Sequence, residues 1–324
     1  MRAVWYERPG AASEVLVAGE RPDPVPADGE VRISLTTSGV NVGDVKKRAD
    51  WLSFGMAYPE VIPHSDGAGV IDAVGSGVDP GRLGERVWCH HAQSYRPFGT
   101  AAEYVVVPTE KAVPLPESVS FEQGACVGIP GMTAHRAVFS DGPVAGRTVL
   151  VTGAAGAVGL TAAQLARWAG ATVIAAVRSD DDAKLLREKG FEHAVVTTVD
   201  DHVDELRSLA PNGVDRIVEV AFDANIGLDA HLLANGGVIA AYASVTSEPS
   251  IPFWPLLFTN ATIRLLGSDD FPAEAQFAAA RDVTHCLADG ALEFPIAATY
   301  PLAQTAEAHE AVERGIKGRV VVRI

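Results

Sequence analysis

Cysteine is scarce in this chain. Only three are present among 324 residues, Cys89, Cys126 and Cys286, and no two of them form a C-x-x-C pair. An odd number of widely separated cysteines excludes a disulfide framework and a four-cysteine zinc site. No neighbouring base or cation pattern favours a reactive thiolate, so we interpret all three as buried thiols.

Long apolar runs and an excess of positive charge are also missing. No stretch of about 18 apolar residues is present, so no membrane-spanning helix is expected. Residues 1–11 lack the apolar core of a secretory signal, and we therefore expect a cytoplasmic protein. The formal net charge of −15 argues against a surface that follows nucleic-acid phosphates. Membrane and nucleic acid are accordingly not expected as partners.

The chain does contain a strand, a glycine turn and a helix in succession at residues 147–170. A buried-strand run at 149–151 is followed by a G-x-x-G-x-x-G turn beginning at Gly153 and by a helix at 158–169 with one apolar face. The free N–H groups and the dipole of such a helix start favour an anion, typically the pyrophosphate of a dinucleotide. The alternative is a tight turn that binds nothing. The surrounding strand–helix–strand pattern favours the nucleotide.

The tip of the next strand indicates which nucleotide. A carboxylate at this position binds the ribose 2′-OH of NAD, whereas a basic residue accommodates the 2′-phosphate of NADP. Here the tip is Val177-Arg178-Ser179, in which Arg178 can pair with phosphate and Ser179 can add a hydroxyl donor. We therefore predict NADPH. Acidic residues 180–182 would repel a phosphate if they faced it, but they suit the start of the next helix.

The chain is long enough for two domains, and its two parts differ in pattern. Residues 1–121 contain short β-type runs and turn residues, which predicts a barrel-like β domain. From Ser120 onwards strands and helices alternate, which predicts a doubly wound parallel sheet. The predicted strands are 1–6, 15–19, 30–37, 68–74, 86–88, 101–107, 148–152, 172–177, 193–197, 216–219, 237–241 and 318–324. The predicted helices are 121–139 with an interruption at 128–131, 158–169, 181–189, 203–208, 225–233, 273–288 and 304–314.

Several further segments come in a fixed order: GVNVGD at 39–44, PHSDGAG at 63–69, GTAAEY at 99–104 and GIPGMT at 128–133, followed by the glycine turn. Together they resemble the medium-chain dehydrogenase/reductase superfamily, in particular its zinc-free, ζ-crystallin-like quinone oxidoreductase branch. The A-x-G-x-x-G spacing that begins at Ala154 fits that branch.

This resemblance implies an α/β fold in two domains. A GroES-like β-barrel catalytic domain would comprise residues 1–121 and 267–324, and a Rossmann domain with a doubly wound parallel sheet would comprise 122–266. It further implies an active-site cleft between the domains, NADPH as cofactor, and a homodimer or tetramer.

The resemblance also bears on metal. In the zinc enzymes of the superfamily a cysteine stands where this chain has Asn41, and a histidine and a glutamate stand at Ser65 and Asp66. Because a catalytic zinc needs three good ligands, we expect none here. His64 is a possible substitute ligand, but a histidine in this place is more often a hydrogen-bonded residue.

The family carry-over gives a set of expected site residues. Asn41 would donate its amide N–H to the substrate oxygen, and Lys46 and Tyr95 are further catalytic candidates. Thr133 would bond the nicotinamide end, and Arg319 would approach the cofactor phosphates. The full cofactor set is Asn41, Lys46, Thr133, Ala155, Gly156, Ala157, Val158, Arg178, Ser179, Thr197, Asn225, Ala241, Tyr242, Ala243, Ser244, Ser268, Asp269, Asp270 and Arg319.

Each of these roles has a structural alternative. Asn41 could be bonded in a turn, and Thr133 could cap the start of a helix. Arg319 could be a solvated strand residue. Lys46 could be one of three solvated cations at residues 46–48.

The expected activity is hydride transfer from NADPH to a quinone or another α,β-unsaturated carbonyl, without metal. The cofactor carries this chemistry, and one or two hydrogen-bond donors suffice for the charge that develops on the carbonyl oxygen. One alternative is an enoyl-thioester or polyketide enone reductase, for which Lys46, Lys47 and Arg48 could form a basic entrance. Another is an NADPH-binding protein with a structural or RNA-binding role, against which the acidic charge counts.

Overall fold

The computed structural model describes all residues from Met1 to Ile324. The strands are β1 (Arg2–Trp5), β2 (Val17–Glu20), β3 (Glu30–Val40), β4 (Asp66–Val74), β5 (Arg86–Cys89), β6 (Tyr104–Pro108), β7 (Ala112–Pro114), β8 (Thr148–Thr152), β9 (Thr172–Val177), β10 (His193–Val196), β11 (Val214–Glu219), β12 (Leu233–Ala241), β13 (Thr262–Leu265), β14 (Ile296–Pro301) and β15 (Arg319–Arg323). The α-helices are α1 (Ala12–Val15), α2 (Val42–Arg48), α3 (Phe121–Gly124), α4 (Gly128–Phe139), α5 (Ala157–Trp168), α6 (Asp180–Glu188), α7 (His202–Leu209), α8 (Phe222–Leu232), α9 (Phe253–Phe258), α10 (Ala273–Ala288) and α11 (Thr305–Glu313). No helix combines the length and the apolarity needed to cross a membrane.

The chain divides into two units. Met1–Ile129 and Ala280–Ile324 form the first, and Pro130–Ala279 forms the second. Both divisions fall inside a helix, the first in α4 and the second in α10. The expected domain limits, at 121/122 and 266/267, lie somewhat earlier in the chain.

The first unit is built on a mixed seven-stranded sheet. β3 is its centre: it pairs antiparallel with β4, β6 and β15. Residues in the first half of β3 alternate between buried and half-buried, so that Val31, Ile33 and Leu35 pack inwards against the apolar faces of neighbouring strands. The last strand of the chain, β15, therefore lies beside the central strand, and β14 adds to its other side in parallel.

The second unit contains a six-stranded sheet in the order β10-β9-β8-β11-β12-β13, and every neighbouring pair is parallel. Leu150, Ile174, Ile217 and Ile239 lie at the centres of four adjacent strands and are almost fully buried. Such strands, buried on both faces, read as continuous apolar runs. The strand order reverses between β8 and β11, and open sheets of this type bind ligands beside that reversal, at the carboxyl ends of the strands. The predicted GroES-like plus Rossmann architecture is thus confirmed.

Two sequence-based predictions of helices need correction. The helical stretch 121–139 is interrupted as expected, but at a different place: α3 ends at Gly124, and α4 begins at Gly128 and continues through Pro130, so that residues 128–131 are helical. Proline is tolerated in a first helical turn, where its missing N–H would have no partner. Helix α2 was not predicted, although the Asp44 side chain accepts from the backbone N–H of Asn41 at 2.7 Å, an arrangement typical of a helix start.

The glycine turn between β8 and α5 is tightly packed. Gly153 has φ +57°, a left-handed conformation that favours glycine, and Ala154 behind it is fully buried. A Cβ at Gly159 would lie 2.3 Å from the carbonyl oxygen of Gly153, so only glycine lets the helix approach the turn this closely.

We predict that Gly159→Ala lowers the free energy of unfolding by about 1–3 kcal/mol, because the added methyl group forces the turn to shift. Gly227→Ala is the matched control: it is also a helical glycine of the second unit, and nothing lies within 4 Å of its added Cβ. It should stabilise by about 0.5–1 kcal/mol through helix propensity alone. Urea unfolding of both variants measures this. Equal effects of the two substitutions would contradict the packing argument.

Candidate functional site

In the second unit the predicted cofactor residues collect at one edge of the parallel sheet. With the exception of Thr133, which lies buried in the second turn of α4, each follows the carboxyl end of a strand or begins the helix after it. By strand, they are 155–158 after β8, Arg178 and Ser179 after β9, Thr197 after β10, Asn225 after β11, 241–244 at the end of β12 and 268–270 after β13. This is the edge at which open α/β sheets bind ligands.

The turn after β8 is suited to a phosphate. Gly156 is the N-cap residue of α5, and the first N–H groups of a helix have no partner within the helix. Ala155, Gly156, Ala157 and Val158 are all at least partly exposed, whereas Ala154 is not. The helix start therefore presents backbone donors and a favourable dipole on its open side.

The tip of β9 carries one free cation. Arg178 is exposed. The Ser179 hydroxyl is the N-cap of α6, accepting from the Asp182 N–H at 3.3 Å and lying 2.6 Å from the Asp182 carboxylate. Residues 180–182 occupy the first turn of α6, as acidic residues do at a helix start. The Ser179 hydroxyl is thus engaged locally, and Arg178 is the group left to face a phosphate.

A buried carboxyl pair, which the sequence did not reveal, lies below the end of β11. The Glu219 carboxylate accepts from the Ala221 N–H and from Asn225 Nδ2, the latter at 3.0 Å. The Asp229 side chain, from α8, forms a hydrogen bond with Glu219, and its Oδ2 atom is buried with no hydrogen-bond partner. The only sequence signal was the acidic residue that ends the predicted strand 216–219.

Burial and mutual repulsion prevent both carboxyls of this pair from ionising. Desolvation, and then the charge of Glu219, raises the pKa of Asp229 to about 9, and desolvation also raises the pKa of Glu219. Asp229 consequently keeps its proton at neutral pH and donates it to Glu219. Asn225, which was expected at the cofactor, is held by this carboxylate through its amide nitrogen.

In the first unit the Asn41 amide is fixed from both ends. Arg319 donates from its guanidinium to Asn41 Oδ1 at 2.9 Å, and Asn41 Nδ2 donates to Asp66 Oδ2 at 2.7 Å. Because arginine can only donate, the oxygen of the amide must face Arg319. One of the two amide hydrogens is used by Asp66, and the other remains for a second acceptor.

Asp66, the first residue of β4, is fully buried, and its side chain lies against the start of α4. Both of its oxygens accept from the Ile129 N–H, at 2.8 and 2.9 Å, so the helix start stabilises the carboxylate. A Cβ at Gly128 would lie 2.1 Å from Asp66 Oδ1, which makes glycine necessary there. Desolvation raises the pKa of Asp66 to about 7 against the opposing charge of Arg319.

Three structural alternatives for predicted residues are wrong. Arg319 is 5% exposed and bonded to Asn41, so it is not a solvated strand residue. Arg48 is fully buried and paired with Glu313, so the expected trio of solvated cations at 46–48 does not exist. Thr133 lies inside α4 and does not cap its start.

Two other candidates lie away from these buried contacts. Lys46 is half-buried, with its ammonium 4.6 Å from the centre of the Trp51 ring, a cation–π contact. Tyr95 is 70% exposed, and its carbonyl accepts from the Tyr58 hydroxyl at 2.5 Å. Neither side chain forms a hydrogen bond with Asn41, whose side-chain partners are Asp44, Asp66 and Arg319.

His64, the possible metal ligand, is engaged elsewhere. Its Nε2 lies 2.8 Å from Nε2 of His309, and its Nδ1 lies 2.8 Å from the Ser38 hydroxyl. No group of three or more His, Cys, Asp or Glu side chains is arranged to hold a metal ion. All three cysteines are buried, and none forms a disulfide.

Comparison with known proteins identifies the family. A family model described as alcohol dehydrogenase GroES-like domain matches residues 27–117, and one described as zinc-binding dehydrogenase matches residues 157–280. The quinone oxidoreductase of Homo sapiens is 32% identical over 325 residues, covering 97% of this chain and 94% of that protein. The chain belongs to the quinone oxidoreductase family.

This family is part of the medium-chain dehydrogenase/reductase superfamily, and the chain is therefore an oxidoreductase. Solved structures agree on the fold. An NAD-dependent alcohol dehydrogenase is 28% identical with a TM-score of 0.88, and a mycobacterial protein complexed with NADPH is 26% identical with a TM-score of 0.85. Both comparisons cover 100% of each chain.

We predict that the buried carboxyl pair of this oxidoreductase makes the free energy of unfolding fall as the pH rises. The folded pKa of Asp229 is raised, so its stability contribution is complete only below the unfolded pKa and is lost as pH rises towards about 9. Asp229→Asn cannot ionise, and should remove a slope of about 1.4 kcal/mol per pH unit between pH 5 and 8. Urea unfolding at several pH values within that range measures it.

Asp223→Asn, on the same helix, is the control. Asp223 accepts from the backbone of Val245 and Thr246, and these bonds lower its pKa. It is therefore ionised throughout that pH range, and its variant should keep the wild-type slope. A full slope in Asp229→Asn would show that the pair does not share a proton.

Proposed function

We propose that this enzyme uses NADPH to reduce quinones or other conjugated carbonyl compounds, with no metal ion taking part. The observation that carries the proposal is the Asn41 amide, fixed between Arg319 and Asp66 with one hydrogen left over. A preorganised N–H donor of this kind stabilises charge that develops on a carbonyl oxygen. When bound, NADPH supplies a hydride, and with one proton from water a quinone becomes a hydroquinone.

The choice of NADPH rests on the residues at the sheet edge. The helix start after β8 fits a pyrophosphate, and the exposed Arg178 fits a 2′-phosphate. No carboxylate stands at Val177 or Arg178, where one would bind the ribose of NAD. One structural neighbour is described as complexed with NADPH and another as NAD-dependent, so the proposal for NADPH rests on Arg178.

The metal-free part of the proposal rests on residue chemistry. Asn41, Ser65 and Asp66 occupy the positions at which the family's zinc enzymes carry ligands, and an amide and a hydroxyl are poor replacements for thiolate and imidazole. The proposed enzyme is cytoplasmic and homodimeric, and the family resemblance supports the homodimer. Metal analysis that finds one tightly held zinc per chain would overturn the metal-free part of the proposal.

Reduction of enoyl thioesters is the weaker alternative. A basic entrance for such substrates was expected from Lys46, Lys47 and Arg48. Arg48 is buried and paired with Glu313, and Lys46 is held against Trp51, which leaves little of that entrance.

NADPH oxidation with a panel of quinones, enones and enoyl thioesters tests the activity. Removing one fixed donor should cost about 10²-fold in kcat/KM, so we expect that loss for Asn41→Ala with quinones. Asn235→Ala, which removes an exposed amide of the second unit, is the control and should be silent. Tight NADPH binding without turnover of any acceptor would favour a non-enzymatic role.

Arg178→Ala tests the cofactor assignment separately. Loss of the phosphate pairing should raise the dissociation constant for NADPH by about 10-fold and leave that for NADH unchanged. Arg207→Ala removes another exposed arginine, from α7, and should alter neither. Fluorescence titration gives the constants. NADH binding as tightly as NADPH in the wild-type protein would refute the assignment.

A further inference from the structure

We propose that His64 and His309 act as positioning residues: they hold the backbone of Asp66, and through Asp66 they fix the reactive amide of Asn41. The inference rests on the role of Asn41 in the proposed function. Nothing in the family resemblance or the comparisons assigns a role to this histidine pair.

The pair belongs to a buried chain of hydrogen bonds with a defined direction. It begins at Arg48, whose Nε–H donates to His309 Nδ1 at 3.3 Å. Because Nδ1 accepts, a neutral His309 carries its proton on Nε2 and donates to His64 Nε2 at 2.8 Å. His64 must then carry its own proton on Nδ1, and it donates to the Ser38 hydroxyl at 2.8 Å.

The same direction continues to the site. Ser38 donates to the hydroxyl of Thr100 at 2.7 Å, and Thr100 donates to the backbone oxygen of Asp66 at 2.6 Å. Ser38, His64, Thr100 and Asp66 are all at most 2% exposed. Every donor in the chain meets one acceptor, so a single arrangement of hydrogens satisfies all of them.

This chain of hydrogen bonds cannot carry a proton to a substrate. Arg48 does not give up its proton, and the other end is a peptide oxygen. Burial lowers the pKa of His64 to about 3 and that of His309 well below its usual value, so both rings stay neutral near pH 7. The Nε2 atoms are 2.8 Å apart and share a proton, which leaves no room for a metal ion between them.

The backbone at His64 shows that the side chain is held at a cost. His64 has φ +77°, a left-handed conformation that costs roughly 1–2 kcal/mol for a non-glycine residue. Glycine would adopt it freely. The imidazole rings of His64 and His309 also stack, with centroids 5.0 Å apart. This ring contact and the two hydrogen bonds of His64 offset the strain and tie α11 to the Asp66 segment.

A double-mutant cycle tests this coupling. His64→Asn keeps a left-handed backbone and a donor near Ser38, but no atom reaches His309. We expect it to lower kcat/KM by about 10-fold in the wild-type background and by less than about 2-fold in Asn41→Ala, with KM for NADPH unchanged. His285→Asn, an exposed histidine of the first unit, is the control and should be silent.

The outcomes separate the two proposals. If Asn41→Ala costs activity but the His64→Asn loss is the same in both backgrounds, the positioning role is wrong and the proposed function stands. If Asn41→Ala costs nothing, the role of Asn41 itself fails. A His64→Asn protein with full activity overturns the inference directly.

A spectroscopic measurement on the cofactor-free protein provides a readout besides activity. Nitrogen NMR should show a proton on Nδ1 of His64 and on Nε2 of His309, and His64→Asn should shift the side-chain amide signals of Asn41. His309→Gln keeps an N–H donor towards His64 and should shift the Asn41 amide signals less. It also replaces His64→Asn in this test if that variant does not fold. The opposite tautomers, or unmoved Asn41 signals in both variants, would overturn the inference.

Discussion

The buried carboxylate of Asp66 is the group on which the first unit's site depends. Removing a charge from water is costly unless the charge is paired and hydrogen-bonded, and Asp66 meets that condition with contacts from three directions. The start of α4 donates to it, Asn41 donates to it, and the nearby Arg319 guanidinium compensates its charge. Loss of either hydrogen bond would leave a buried charge incompletely satisfied. Only glycine at position 128 leaves room for the carboxylate at the helix start.

The second unit treats its buried acids differently. No arginine or lysine forms an ion pair with Glu219 or Asp229, and the pair retains a proton instead. Its single negative charge accepts hydrogen bonds from the Ala221 N–H and the Asn225 amide at the end of β11. The two units therefore hold their polar groups by different means, a compensating arginine in one and a shared proton in the other. In both, the cost of burying charge gives a fixed geometry at a strand or helix end.

Local patterns in the sequence predicted the parallel sheet well and the buried contacts poorly. The runs 148–152 and 172–177 were found with the observed bounds, because strands buried on both faces are apolar throughout and end at glycine or polar residues. The cofactor residues predicted in the second unit lie at one edge of the sheet because most of them follow parallel strands. The bond from Arg319 to Asn41 joins residues 278 positions apart, and the approach of His309 to His64 joins residues 245 apart. Such pairs depend on which strands become neighbours, in these cases β15 beside β3, and no local pattern encodes that.

The two ends of the proposed reaction differ in how freely evolution could alter them. In the proposed function the preference for NADPH rests on Arg178, an exposed side chain, since the neighbouring Ser179 hydroxyl caps its own helix. A change there would disturb nothing behind it. Asn41 is bound into a buried network that reaches from β15 to α11, so a new residue would need matching changes at several distant positions. Under the proposed function, one substitution at Arg178 would therefore change the cofactor preference, whereas a change at Asn41 would require matching changes in the network that holds it.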